Sequence, residues 1–173
     1  KKAENKKYQD VIQQRDRAIL GIYYGCGLRK SEGTNLIIGD ILTERKLIFV
    51  RKGKGSKERY VPVTDGNLSY ITEYLQDGRN FLLARNQSGT ESFFINQFGG
   101  SCSDQALSAR LDRLVKNSGS TGLQGKKPTL HTLRHSIATH LLQSGMEIEM
   151  IQKFLGHASL ESTQIYTHLA NEF

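Results

Sequence analysis

The sequence predicts an α+β domain, mainly helical, with a small antiparallel β-sheet formed around one hairpin. Three observations carry that expectation. Apolar residues recur at helical spacing in several separate segments, the first being Val11, Ile12, Ile19, Leu20, Tyr23 and Tyr24. Two short apolar runs, at 47–50 and 60–63, face each other across the turn Gly53-Lys54-Gly55. A chain of 173 residues, 37% of them hydrophobic, is long enough for one core and is expected to be one domain, residues 1–173.

The elements follow in order. Residues 1–7 are basic and polar and are expected to be a frayed entry. Residues 8–24 read as an amphipathic helix stopped by Gly25 and Gly27. A second short helix begins near Arg29, where Arg29 and Glu32 share a face, as an ordinary surface ion pair would. Residues 46–52 and 58–64 are the hairpin arms, with Val61, Val63 and Tyr60 expected to face Leu47, Ile48, Phe49 and Val50. Residues 65–76 read as a helix ended by 77–80. Residues 81–83 and 93–95 read as buried segments, and 103–117 as a helix with Leu107, Leu111, Leu114 and Val115 inward. Residues 118–127 read as a loop. A helix at 131–143, a short one ending at Gly156 and a last one capped by Ser159 or Ser162 complete the chain.

Lys and Arg number 24 against 17 Asp and Glu, a net charge of +7. That balance suits a polyanionic partner, and simple solubility explains it as well. The hairpin concentrates it: Arg51, Lys52, Lys54, Lys57 and Arg59 fall within nine residues, which fits either nucleic-acid contact or a charged edge strand. The Gly-Lys-Gly turn is not a nucleotide-binding loop, because G-x-x-x-x-G-K-[ST] is absent and no helix follows directly. No stretch approaches about 18 apolar residues, so no membrane-spanning helix is expected. The polar first fifteen residues do not resemble a secretory leader. Cys26 and Cys102 are isolated, without C-x-x-C spacing, which suits a reducing, cytoplasmic location and no structural metal. The start at Lys1 suggests an excised domain.

The most telling stretch is 128–173. His131 and Arg134 share a helical face, with His157 and Tyr166 on later elements. An arginine, two histidines and a tyrosine fit poorly as core and well around a phosphate. Arginine offers a planar fork, histidine moves protons near neutrality, and a tyrosine hydroxyl can be a nucleophile. His131 and His135, four apart, could hold a metal, but no acid follows His131 as in H-E-x-x-H. His135, His140 and His168 read as packing or helix-end groups.

His-x-x-Arg-His at 131–135, Leu-Gly-His at 155–157 and Thr-x-Ile-Tyr-Thr-His at 163–168 closely resemble the tyrosine recombinase (phage-integrase-like) family in order, type and spacing. Gly-Leu-Arg-x-Ser-Glu at 27–32 is similar to its first-arginine motif, and Gly-Lys-Gly-x-Lys-Glu-Arg at 53–59 to the hairpin bearing its catalytic lysine. Gly33 stands where the family usually has an aliphatic residue, and a glycine there is expected to loosen the helix.

The resemblance covers about 16–170 and implies the family's mainly helical catalytic domain, without its N-terminal core-binding and arm-binding domains. It implies Tyr166 as nucleophile, Arg29 and Arg134 as phosphate clamp, His157 as a phosphate hydrogen-bond donor, Lys54 as general acid, His131 as general base and Glu32 in support. Arg51, Lys52, Lys57 and Arg59 are the DNA-contact candidates. The implied partners are double-stranded DNA and three further copies, a tetramer on paired sites, with no membrane, metal or cofactor. The implied function is site-specific cleavage and rejoining of DNA strands, for integration or excision of a mobile element. Inversion and chromosome-dimer resolution would use the same residues. The alternatives are type IB topoisomerase-like relaxation and a non-catalytic basic DNA-binding module.

Overall fold

The computed structural model describes residues 2–51, 58–86 and 89–156. Helix α1, Lys2–Leu20, begins well before the expected start at residue 8. It is tied down from its second turn: Lys7 Nζ donates to both Asp77 carboxylate oxygens, at 2.7 and 2.6 Å, and further along Gln14 Nε2 donates to Asp77 Oδ2 at 2.8 Å. The helix widens into a π-helical turn, Gly21–Gly25, that buries Ile22 and Tyr23. Helix α2, Lys30–Thr34, then lies over Tyr23, whose hydroxyl donates to Lys30 O at 3.1 Å.

The sheet has three antiparallel strands in the order β1 (Ile41–Leu42), β2 (Leu47–Val50), β3 (Arg59–Pro62). β1 was not legible in the sequence; it pairs only Ile41 with Ile48 and Leu42 with Leu47. Along β2 and β3 the register pairs Ile48 with Val61, Phe49 with Tyr60 and Val50 with Arg59. The period of two sends Ile48, Val50 and Val61 into the core. It turns Phe49 and Tyr60 outward together, their ring centroids 5.1 Å apart, so Tyr60 faces the 47–50 run across the hairpin as expected.

Helix α3, Asp65–Glu73, is capped by the Thr64 hydroxyl and runs through a second π-helical turn, Tyr74–Gly78, into α4, Arg79–Leu83. The sequence expectation ended this helix at 77–80. It continues because Arg79, polar in sequence, is buried, with Nε donating to Ser92 O at 2.9 Å and Nη2 to Thr90 O. Tyr23, Tyr74, Phe93 and Phe94 form the aromatic centre, and Ile95 N–H donates to the Tyr74 hydroxyl at 3.2 Å.

Helix α5, Asp104–Asn117, is capped by Ser103 and points Leu107 and Leu111 inward as expected. Its Arg110 is half-buried in a two-bond pair with Asp16 of α1, at 2.6 and 2.5 Å. A further helix, α6 (Thr121–Lys126), lies where a loop was expected; the Ser120 hydroxyl caps it. Helices α7 (Leu130–Gln143) and α8 (Ile148–Leu155) pack through Ala138, Ile151 and Leu155 with Leu141, Leu142 and Phe154 against them. The expected last helix lies outside the described residues. Cys26 and Cys102 are free thiols in the interior, where burial pushes Cys26 up to about 12. Among the described residues no helix is long and apolar enough to cross a membrane.

Candidate active site

Glu32 is the centre of the site. It occupies the first turn of α2, with its side chain 4% exposed. A buried carboxylate needs charged partners that also satisfy its lone pairs, and Glu32 has them. Arg29 donates from its backbone N to Oε2 at 2.8 Å and from Nη1 to Oε1 at 2.9 Å. Arg59, reaching in from β3, donates from Nη1 to Oε1 and from Nη2 to Oε2, both at 2.9 Å. Arg134, on α7 and 2% exposed, brings Nη1 to 3.9 Å from Oε2. Burial pushes the Glu32 carboxyl up, but the hydrogen bonds and charge of Arg59, then those of Arg29, outweigh it and hold the group down at about 2.

The same three arginines close the C-terminal end of α8. The last carbonyls of a helix lack intrahelical partners, and that end carries partial negative charge. Gly156, left-handed at φ +66°, donates its N–H to Gln152 O at 2.8 Å and Lys153 O at 3.2 Å. The next three carbonyls accept from arginines: Phe154 O from Arg59 Nε at 3.3 Å, Leu155 O from Arg134 Nη2 at 2.7 Å, and Gly156 O from Arg29 Nη2 at 3.0 Å. Arg134 Nη1 also donates to Gly27 O. The position that follows this locked end is His157.

Helix α7 starts where the Thr129 hydroxyl accepts from Thr132 N–H at 3.1 Å and the Thr132 hydroxyl accepts from Thr129 N–H at 3.2 Å. That cap puts exposed His131 one turn before buried Arg134. His131 meets His135, four residues on along the same face, through their Nε2 atoms. His135 is pushed down, first by burial and then by the charges of His131 and Arg134. His140 meets the Tyr24 hydroxyl, 2.7 Å from its Nδ1.

Of the expected site residues, the structure brings together Arg29, Glu32 and Arg134, with His131 beside them on α7. Lys54, Lys52, Lys57, His157 and Tyr166 lie outside the described residues. Two DNA-contact candidates are placed otherwise than expected. Arg59 is turned inward, its side chain 9% exposed, because it shares the inner face of β3 with Val61. Arg51 is exposed but spent on buried Asp40, with Nε donating to Oδ1 at 3.0 Å and Nη2 lying 2.9 Å from the same atom. The missed signal for Arg59 was the alternation Arg59-in, Tyr60-out, Val61-in. Among the described residues no group of three or more His, Cys, Asp or Glu is placed to hold a metal ion.

Two arginines from distant parts of the chain, joined through one carboxylate beside a histidine-bearing helix, form the framework of a tyrosine recombinase catalytic domain. The chain belongs to the phage integrase family, whose model matches residues 2–172. It is 43% identical over 161 residues to the tyrosine recombinase XerC of Oceanobacillus iheyensis, covering 93% of this chain and 51% of that protein. It is 39% identical over 158 residues to the XerC of Lacticaseibacillus casei, covering 91% and 51%. The crystal structure of XerA recombinase matches with a TM-score of 0.77 at 31% identity, over 96% of this chain and 60% of that one. XerH bound to palindromic difH substrate in a post-cleavage complex matches at 0.74 and 30%, over 96% and 48%. The chain spans about half the length of the curated relatives it matches.

Proposed function

We propose that this domain cleaves and rejoins DNA strands at specific sites through a 3′-phosphotyrosyl intermediate. The observation that carries the reading is the Glu32-bridged pair Arg29 and Arg134, two fixed guanidinium groups at the end of the helix that leads to His157. Tyr166 would attack a backbone phosphorus, forming the Tyr–O–P bond as the bond to the 5′-oxygen breaks. A second DNA 5′-hydroxyl reverses the step on a new partner, so one hard substitution becomes two easier ones. Negative charge gathering on the non-bridging oxygens is met by Arg29, Arg134 and His157. Lys54 gives the leaving 5′-oxygen its proton, and His131 takes the proton of Tyr166, which a phenol with an ordinary pKa of about 10 must lose. No step calls for a metal or cofactor.

The partner in this reading is double-stranded DNA, engaged by four copies on two paired sites. The similarity to proteins named XerC and to XerH bound to difH favours a short, palindromic recombination site as substrate. Integration or excision of a mobile element is the other use of the same chemistry, and the choice of DNA separates them.

The test is a trapping assay: the whole protein in EDTA and low salt, nicked DNA carrying a palindromic Xer-type site or a mobile-element end, and a denaturing gel. A DNA-shifted band that survives EDTA and disappears in Tyr166→Phe is expected. Arg29→Gln should slow its formation about 10²–10³-fold. Bands of equal strength in Tyr166→Phe and wild type would point to a DNA-binding module without this chemistry. Relaxation of supercoils without exchange between two sites would point to a topoisomerase.

A further inference from the structure

We propose that Arg59 is a positioning residue for this chemistry, tying strand β3 to the arginine clamp by fixing Glu32 against Arg29 and the end of α8. The inference rests on the recombinase reading above and gives Arg59, expected from the sequence as a DNA-contact candidate, an internal role.

Accessibility argues first. The Arg59 side chain is 9% exposed and Glu32 4%, so this is no pair on a solvated face. Acceptor accounting follows. Glu32 Oε1 receives Arg29 Nη1 and Arg59 Nη1, and Oε2 receives the Arg29 backbone N–H and Arg59 Nη2. Both oxygens are filled in two directions, which fixes the plane of the carboxylate and, through it, the Arg29 guanidinium. Only a planar two-pronged donor can fill both oxygens this way, so a lysine would keep the charge and lose the fork.

Shape points to the same residue. A Cβ on Gly156 would lie 2.7 Å from Arg59 Cδ and 2.8 Å from both Nε and Nη1. Glycine is therefore required twice at this position, by its φ of +66° and by the guanidinium lying against it. The hydrogen bond from Arg59 Nε to Phe154 O fastens the hairpin to the helix end.

Charge gives the functional consequence. Glu32 beside Arg29 alone would spend that arginine's charge. With Arg59 present the carboxylate is neutralised from a second side, so it does not cancel the charge of Arg29 alone. Arg59 is also the return arm of the hairpin, two residues beyond the turn's last basic residue, Lys57.

The test uses the whole protein and the nicked-DNA trapping assay, with Arg59→Gln, Arg59→Lys, Glu32→Gln and the double variant Arg59→Gln/Glu32→Gln, each checked for folding by circular dichroism. Arg59→Gln should slow adduct formation about 10²-fold at unchanged DNA affinity. The double variant should lose no more than the worse single one, because both act through one carboxylate. Arg59→Lys, which keeps the charge but not the fork, should retain intermediate activity and serves if the glutamine variant fails to fold. In parallel, carbon-13 NMR of the Glu32 carboxyl should show its titration moving up toward the ordinary glutamate range in Arg59→Gln. A folded Arg59→Gln protein with wild-type rate, additive losses in the double variant, or a loss residing wholly in DNA affinity would each overturn the proposal. A wild type that forms no adduct sinks the recombinase reading itself. The NMR titration still decides separately whether Arg59 governs Glu32.

Discussion

The ring of Tyr23 occupies the space where a side chain on Gly33 would begin: a Cβ there would lie 2.5 Å from Tyr23 Cζ and 2.6 Å from its hydroxyl oxygen. Glycine at this point of α2 therefore lets the helix settle on an aromatic floor. Gly33→Ala should destabilise the fold by about 1–3 kcal/mol through overpacking. Helix propensity alone predicts the opposite, a gain of roughly 0.5–1 kcal/mol. Urea denaturation of the two proteins decides by sign.

Acid should attack the fold through Glu32. The carboxyl titrates near 2 in the folded chain and at an ordinary value of 4.5 when free. Its contribution to stability is therefore complete above pH 4.5 and is lost as pH falls toward 2. A shift of that size corresponds to roughly 3 kcal/mol. Glu32→Gln should be less stable at neutral pH and show a flatter dependence between those limits. A variant as steep as wild type in that window would remove Glu32 from the account.

His135 should respond to its neighbour. Burial first, then the charges of His131 and Arg134, keep it below the usual histidine range. His131→Gln removes one of those charges, so the His135 titration, followed by imidazole NMR, should move up and stay below the ordinary value because burial remains. The neutral form is the one the fold prefers. That part of the stability is present above the ordinary histidine pKa and fades as pH falls through the depressed one.

The Asp16–Arg110 pair joins α1 to α5 with Asp16 buried. Asp16→Ala leaves the Arg110 guanidinium without its carboxylate and should cost about 3 kcal/mol. Asp16→Leu together with Arg110→Met should cost clearly less than the single variant, because no charge is then stranded. Thermal unfolding of the three proteins gives the comparison.

Most helices were legible because periodicity and caps agree: Ser103 before α5, the Thr129 pair before α7 and Gly156 after α8 stand where amphipathic spacing starts or stops. The misses share one cause, a polar residue whose partner is remote in sequence. Lys7 belongs to a helix because of Asp77, and Arg79 continues one because of Ser92 and Thr90. Arg59 is internal because of Glu32. Local sequence reads such side chains as exposed, since nothing nearby announces an acceptor. In the site, Arg29, Glu32 and Arg134 were visible through motif spacing, whereas the tie from each arginine to a carbonyl at the end of α8 was not. Backbone acceptors leave no mark in a sequence.

The three arginines around Glu32 lie at positions 29, 59 and 134. A chain emerging from the ribosome carries the carboxylate and its first two counter-ions for some seventy-five residues of synthesis before the third appears, and α8, whose carbonyls they hold, comes later still. The parts of the clamp are thus all present only after α1 to α5 have been synthesised.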